Sequence, residues 1–158
     1  MRNIFRGHES EIHSVDFSPN GRLVASACCD STVRIWNMRD GSARIFSDNA
    51  QEFFSVRFSP NGQYIAAGNY DGILRIWDVR TGRLVKRWID HEGCIYSVAF
   101  TADGRGLLSG SLGGAVTYWD ISSLGVVQSG GEPVATELLK YKGHTVRLVL
   151  TLILVHLR

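Results

Sequence analysis

A serine, a histidine and an aspartate, Ser26, His8 and Asp30, have the residue types of a hydrolytic triad, in which a carboxylate orients an imidazole that takes the hydroxyl proton. Two adjacent thiols, Cys28 and Cys29, could ligate a soft metal, and the glycine-rich run "GSLGGAV" from Gly110 could cradle a phosphate. Each of these chemistries lacks its companions. No Gly-x-Ser-x-Gly elbow presents a serine. No second Cys/His pair stands at ligand spacing, and the glycine run lacks the Gly-Lys-Ser/Thr ending of a phosphate loop. The glycine run reads as a turn between strands, and the cysteines as small apolar residues of a strand. We therefore expect no catalytic residue, no cofactor and no metal, and do not read the chain as an enzyme.

The elements that would carry these residues repeat. Three segments align without a gap: "HSVDFSPNGRLVASACCDSTVRIWN" from His13, "FSVRFSPNGQYIAAGNYDGILRIWD" from Phe54 and "YSVAFTADGRGLLSGSLGGAVTYWD" from Tyr96. Trp36, Trp77 and Trp119 close them, 41 and 42 residues apart (77 − 36 and 119 − 77). All share Ser-Val-x-Phe, through Ser14, Ser55 and Ser97 and through Phe17, Phe58 and Phe100. Within a copy, "HSVDF" alternates, "SPNG" supplies turn chemistry, "RLVASAC" is apolar, and "CDST" turns back into "TVRIW". Fourth strands are expected in "SARIFS", "RLVKRWI" and "VATELLKY", the last delayed by "SSLGVVQSGGEP", whose Gly and Ser mark an exposed insertion. The pattern predicts four antiparallel strands per repeat and an all-β fold. A sandwich also satisfies the strands, but has no reason to repeat its sequence every 41 residues with Trp-Asp endings.

On these motifs the chain resembles the WD40 family from residue 4 to residue 145. The fold class expected is an all-β, partial WD40 β-propeller: three four-stranded blades over about residues 4–47, 48–90 and 91–142, plus the start of a fourth. The resemblance implies a hydrogen-bonded clamp of His, Ser/Thr, Asp and Trp in each blade. The first copy has it whole in His8, Ser26, Asp30 and Trp36, where the recurrence of the position favours a clamp over a triad. The second keeps Asp71 and Trp77 but has Ala67 for the hydroxyl and no histidine in "FSDNAQ". The third has His91, Ser109 and Trp119, with Gly113 for the aspartate. Blades two and three are thus expected to be less well tied.

In WD40 proteins the positions that open the inner strand and those before the tight-turn aspartate line the top rim around the central channel. Here they are His13, Phe54 and Tyr96, and Cys29, Tyr70 and Leu112, with Glu11 and Glu52 two residues earlier as acidic contacts. Aromatic residues are enriched in interface cores, so these positions are the candidate protein-binding rim; the plainer alternative is that Phe54 and Tyr96 only pack between blades.

The irregular order of blades, "GHESEIHSVDFSPNG", then "YIAAGNYDGILRIWD" without Gly-His, then "YSVAFTADG" with a late insertion and "YKGH", is similar to fungal Tup-type (Groucho-like) transcriptional corepressors. That group implies a propeller that meets DNA-bound repressors through its top face, and an N-terminal oligomerisation segment that these residues do not include. The expected function is a protein-interaction scaffold of corepressor type. Its partners would be transcription factors or complex subunits. A WD40 adaptor in ubiquitin ligation or signalling, or a non-functional truncated product, stands as the alternative.

Composition agrees with a packed core: 158 residues, 44% hydrophobic, with 17 basic and 15 acidic side chains spread along the chain for a net charge of +2. That spread gives no nucleic-acid footprint, so no direct nucleic-acid contact is expected. Three cysteines, two adjacent, do not make a disulfide framework, and no signal peptide opens the chain, so nucleus or cytoplasm is the expected location. The apolar stretch from Val146 to Leu157 falls short of the ~20 residues of a membrane span. Three blades do not close a propeller, so the remaining blades are expected to be missing and the open arc to self-associate or be degraded. Residues 146–158 have neither Ser-Val-x-Phe nor turn chemistry. Val146-Arg147 can be encoded as GTACGT, the form of a fungal splice donor, which predicts retained intron sequence there.

Overall fold

The structure, a computed structural model, describes residues 4–89, 91–124 and 137–142; the expected start of a fourth blade and the 146–158 tail lie outside them. Among the described residues there are twelve strands and no helix. Strands β1 (Ile12–Phe17), β2 (Leu23–Cys28), β3 (Val33–Asn37) and β4 (Ala43–Phe46) form the first sheet. The second is β5 (Phe53–Phe58), β6 (Tyr64–Asn69), β7 (Ile73–Asp78) and β8 (Leu84–Ile89). The third is β9 (Ile95–Phe100), β10 (Gly106–Ser111), β11 (Ala115–Asp120) and β12 (Glu137–Lys142). Each is a four-stranded antiparallel meander in chain order, so the all-β, blade-by-blade architecture expected from the repeat is the one observed. Among the described residues no helix is long and apolar enough to cross a membrane.

The turns follow from the shared "SPNG" and "TADG" sequences. Ser18 Oγ donates to Asn20 Oδ1 (2.8 Å) and accepts the Leu23 amide (2.9 Å). Ser59 repeats both bonds with Asn61 and Tyr64, and Thr101 accepts the Gly106 amide at 2.8 Å. Gly21, Gly62 and Gly104 complete these turns with φ between 66° and 70°, the left-handed region where a side chain costs free energy.

The sheets stack through two apolar clusters. Ala25, Ala27, Val33, Ile35 and Phe46 of the first meet Phe53, Val56, Phe58, Ile65, Ala67 and Trp77 of the second. Tyr64, Ala66, Leu74 and Ile76 of the second meet Ile95, Val98, Phe100, Leu107 and Trp119 of the third. The valine and phenylalanine of Ser-Val-x-Phe therefore face the preceding blade, and the serine faces the next. Ser14 Oγ accepts from Arg57 Nη1 at 2.9 Å and Ser55 Oγ from the Val98 amide at 3.2 Å, while Asp16 takes the Phe58 amide at 2.8 Å. At Gly68 the approach is close: a Cβ built there would lie 2.7 Å from Ile95 Cβ.

One interlock crosses the boundary between blades. Phe46 on β4 stacks edge-on over Trp77 (6.1 Å between centroids), and Trp88 on β8 lies over Trp119 (5.1 Å). Phe5 stands over Trp36 in the same way, at 5.8 Å. In each case the covering ring precedes its tryptophan by 31 residues (36 − 5, 77 − 46, 119 − 88). The sequence unit that ends on a tryptophan thus begins on the outer strand of the blade before.

Candidate protein-binding rim

Each inner strand carries an irregularity at its first turn of pleat. Ile12 pairs with Cys28 and Ser14 with Ala27, so two consecutive residues of β2 oppose three of β1 and His13 is the extra one. Phe54 is the extra residue between Phe53 and Ser55, and Tyr96 between Ile95 and Ser97. A bulge re-aims the side chain it adds. The candidate rim residues that open the inner strands are therefore the three bulged positions.

Their rings form one row. His13 and Phe54 are 5.0 Å apart between centroids, Phe54 and Tyr96 also 5.0 Å, and Tyr70 joins Phe54 from the side at 6.5 Å. Such distances suit edge-to-face and offset contacts. Phe54 is half-buried, whereas Tyr70 and Leu112 are more than half exposed, at 52% and 58%. The other rim positions are brought to the same edge by a backbone bond that recurs in every blade: Cys29 N donates to Glu11 O, Tyr70 N to Glu52 O and Leu112 N to Cys94 O, at 2.8–2.9 Å. His13 Nε2 lies 3.0 Å from Cys29 Sγ. Partial burial, then the negative charge of Glu52, Glu11 and Asp30, raises the Cys29 thiol above its ordinary pKa, so it stays protonated. Partial burial likewise raises Tyr96, with Cys94 adding to the effect.

Behind the rim, His8, Ser26, Asp30 and Trp36 are brought together. His8 Nδ1 donates to Asp30 Oδ2 (2.7 Å), Ser26 donates to His8 Nε2 (2.7 Å), and Trp36 Nε1 donates to Ser26 Oγ (2.8 Å). Thr32 Oγ and the Glu9 amide add bonds to the same carboxylate, at 2.6 and 3.1 Å. Burial works to raise the Asp30 pKa, but the hydrogen bonds from Thr32, His8 and Glu9 outweigh it and hold the carboxyl well below the usual range. The order of groups is that of a charge-relay triad, yet Ser26 is 2% exposed and its oxygen is already taken by the Trp36 indole. An acyl group could not reach it. Cys28 lies within 4.8 Å of His8 and Asp30, but both imidazole nitrogens are committed to hydrogen bonds and the thiol donates to Ser10 O.

In the third blade His91 Nε2 lies 2.6 Å from Ser109 Oγ, which accepts from Trp119 Nε1 at 2.8 Å; Gly113 supplies no carboxylate. In the second, Asp71 and Trp77 are not joined through a histidine. A group outside the candidate set, Arg75, takes that place: 2% exposed, it reaches Asp48 at 3.3 Å and Asp71 at 3.5 Å and lies over the Phe53 ring. This ionic tie links Asp48 and Asp71 in the blade that has no clamp histidine. Its signal in the sequence was Asp48 standing where the first copy has Gly7, opposite an arginine, Arg75, that matches Arg34 of the first copy. The covering rings Phe5, Phe46 and Trp88 were also missed, although their constant spacing from the tryptophans could have revealed them.

Comparison with known proteins adds identity to geometry. The family model described as "WD domain, G-beta repeat" matches residues 1–37, 40–78 and 82–120. Among curated relatives, a WD repeat and HMG-box DNA-binding protein 1 of Mus musculus is 40% identical over 45 residues, 28% of this chain and 4% of that protein. A Transcriptional corepressor LEUNIG_HOMOLOG of Arabidopsis thaliana is 54% identical over 39 residues, 25% of this chain and 5% of its own length. A Ribosome assembly protein 4 of Chaetomium thermophilum is 49% identical over 35 residues, 22% and 7% respectively. The matched stretch is thus a small part of each relative.

Proposed function

Since the chain belongs to the WD40 family, whose repeats serve as protein-interaction scaffolds, we propose that it presents the rim built on His13, Phe54 and Tyr96 to regulators bound on DNA, as a corepressor module does. The observation that carries the reading is the row of bulged aromatic side chains, contiguous at one edge of three stacked blades, with Tyr96 and the neighbouring Tyr70 exposed beside the half-buried Phe54. Large exposed aromatics in contact with one another are the usual anchors of a protein interface. Cys29, Tyr70 and Leu112 would widen the patch, and Glu11 and Glu52 would supply polar contacts at its margin. The corepressor assignment draws on the kind of blade order described above, and on the name of one relative matched over a quarter of the chain.

A photo-crosslinking amino acid placed at position 96 tests both levels. Cross-links to a DNA-bound transcription regulator, lost when Phe54→Ala is added, are the expected result. Cross-links instead to ubiquitin-ligase or signalling subunits would move the chain to the adaptor reading. A probe at 96 that captures no protein, while one on the opposite edge does, would remove the rim from consideration.

A further inference from the structure

In a four-stranded meander, alternate connections emerge at opposite edges of the sheet. The β2–β3 and β4–β5 kinds of connection share the edge of the aromatic row; β1–β2 and β3–β4 kinds share the other. Sorted this way, the charges separate. The rim-side segments 6–11, 29–32, 47–52, 70–72, 91–94 and 112–114 hold Glu9, Glu11, Asp30, Asp48, Glu52, Asp71 and Glu92 against a single arginine, Arg6. The opposite segments 18–22, 38–42, 59–63, 79–83 and 101–105 hold Arg22, Arg39, Arg80, Arg83 and Arg105 against Asp40 and Asp103. Along the chain the signs alternate every half repeat, so the near-neutral total hides two faces of opposite sign.

Not all the rim-side charge is free. Asp30 is bound by His8 with Arg34 at 3.7 Å, and Asp48 and Asp71 by Arg75. Glu11, Glu52 and Glu92 are exposed and form no ion pair with lysine or arginine among the described residues. Glu11 and Glu52 stand at the entries of β1 and β5, two residues before the bulged His13 and Phe54, and both act on the Cys29 thiol. Carboxylates thus flank the aromatic row, and among the described residues no lysine or arginine is paired with them.

From this juxtaposition we propose that the rim takes a cationic peptide segment, a stretch of a partner protein whose arginine or lysine side chains lie over Phe54, Tyr70 and Tyr96 and reach Glu11 and Glu52. The proposal rests on the rim reading above and adds the chemistry of the occupant. Ring faces attract guanidinium and ammonium groups, and unpaired carboxylates steer them in from a distance. The opposite, arginine-bearing face repels the same peptide, which fixes the side of approach.

Fluorescence anisotropy of the full chain tests this with a labelled Gly-Ser peptide carrying spaced arginines, and with twins carrying glutamine or glutamate at those places. The arginine peptide is expected to bind, with an affinity that falls about tenfold from low to physiological salt. Glu11→Gln with Glu52→Gln is expected to weaken it about five- to tenfold through exposed side chains that the fold does not use, and Phe54→Ala by a similar factor. Arg80→Gln with Arg105→Gln on the other face should leave it unchanged. A glutamine or glutamate twin that binds as well through Phe54 would overturn the cationic preference and leave the rim reading standing. Equal binding of the arginine peptide by the Glu11/Glu52 variant would also overturn it. If none of the three peptides binds, this inference fails, and a silent cross-linking probe at 96 would then take the rim reading with it.

Discussion

At the scale of single residues, the most heavily bonded polar group among those described is Asp30. Asp30→Ala is expected to cost about 1–3 kcal/mol, because it leaves the half-buried donors of His8 and Thr32, and the exposed Glu9 amide, without their acceptor. The pH dependence has a definite sign. A carboxyl whose folded pKa lies below the unfolded value of about 4 contributes fully above that pH, and the contribution disappears as pH falls through the folded value. Urea unfolding of the wild type and Asp30→Ala should therefore differ most near neutral pH and converge in acid; a constant gap from neutral pH down into strong acid would contradict the assignment. Most of this set was legible from its fourfold residue pattern in the first copy. Arg75 was not, because an arginine inside a strand reads as a solvent-facing charge until Asp48 and Asp71 are seen on either side of it.

Among elements, β6 approaches β9 closely, and Gly68 permits it. Gly68→Ala would drive a methyl group into the buried Ile95 side chain, with an expected loss of about 1–3 kcal/mol. The first copy has Ala27 at the matching position, buried in the cluster that holds Phe53, so Ala27→Gly, which only removes a methyl, should show the ordinary small cost of a cavity. Thermal melts of the two variants would compare them, and a Gly68→Ala chain as stable as wild type would mean that β9 shifts freely. Strands and turns were readable because alternation and turn residues act locally. The bulges were not, since an extra residue in one strand is defined only by its pairing with the next. The rim positions could be named from the family pattern, but why their side chains leave the sheet plane at that point came only from the register.

For the molecule as a whole, the inner strand of the first sheet is the informative edge. Val56 and Val98 are 0% and 1% exposed, whereas Val15, their counterpart, is 61% exposed; Phe17 is 62% exposed against 6% and 9% for Phe58 and Phe100. Covering a side chain of this kind is worth about 1.5–3 kcal/mol, so the face draws any apolar surface of similar shape. Size-exclusion chromatography with light scattering on the 158-residue chain is expected to show self-association, reduced by Val15→Thr with Phe17→Thr. A monomeric wild type would mean that the exposed face does not drive assembly. The interlock of Phe5, Phe46 and Trp88 over the tryptophans carries a further consequence, for heredity rather than for stability. Because each covering ring lies one strand upstream of its blade, a gene duplication displaced by one whole period of 41 or 42 residues rebuilds every ring-on-tryptophan pair wherever the crossover falls. Unequal recombination can thus add or delete a blade in a single event, while a displacement by half a period strips one tryptophan of its cover at once.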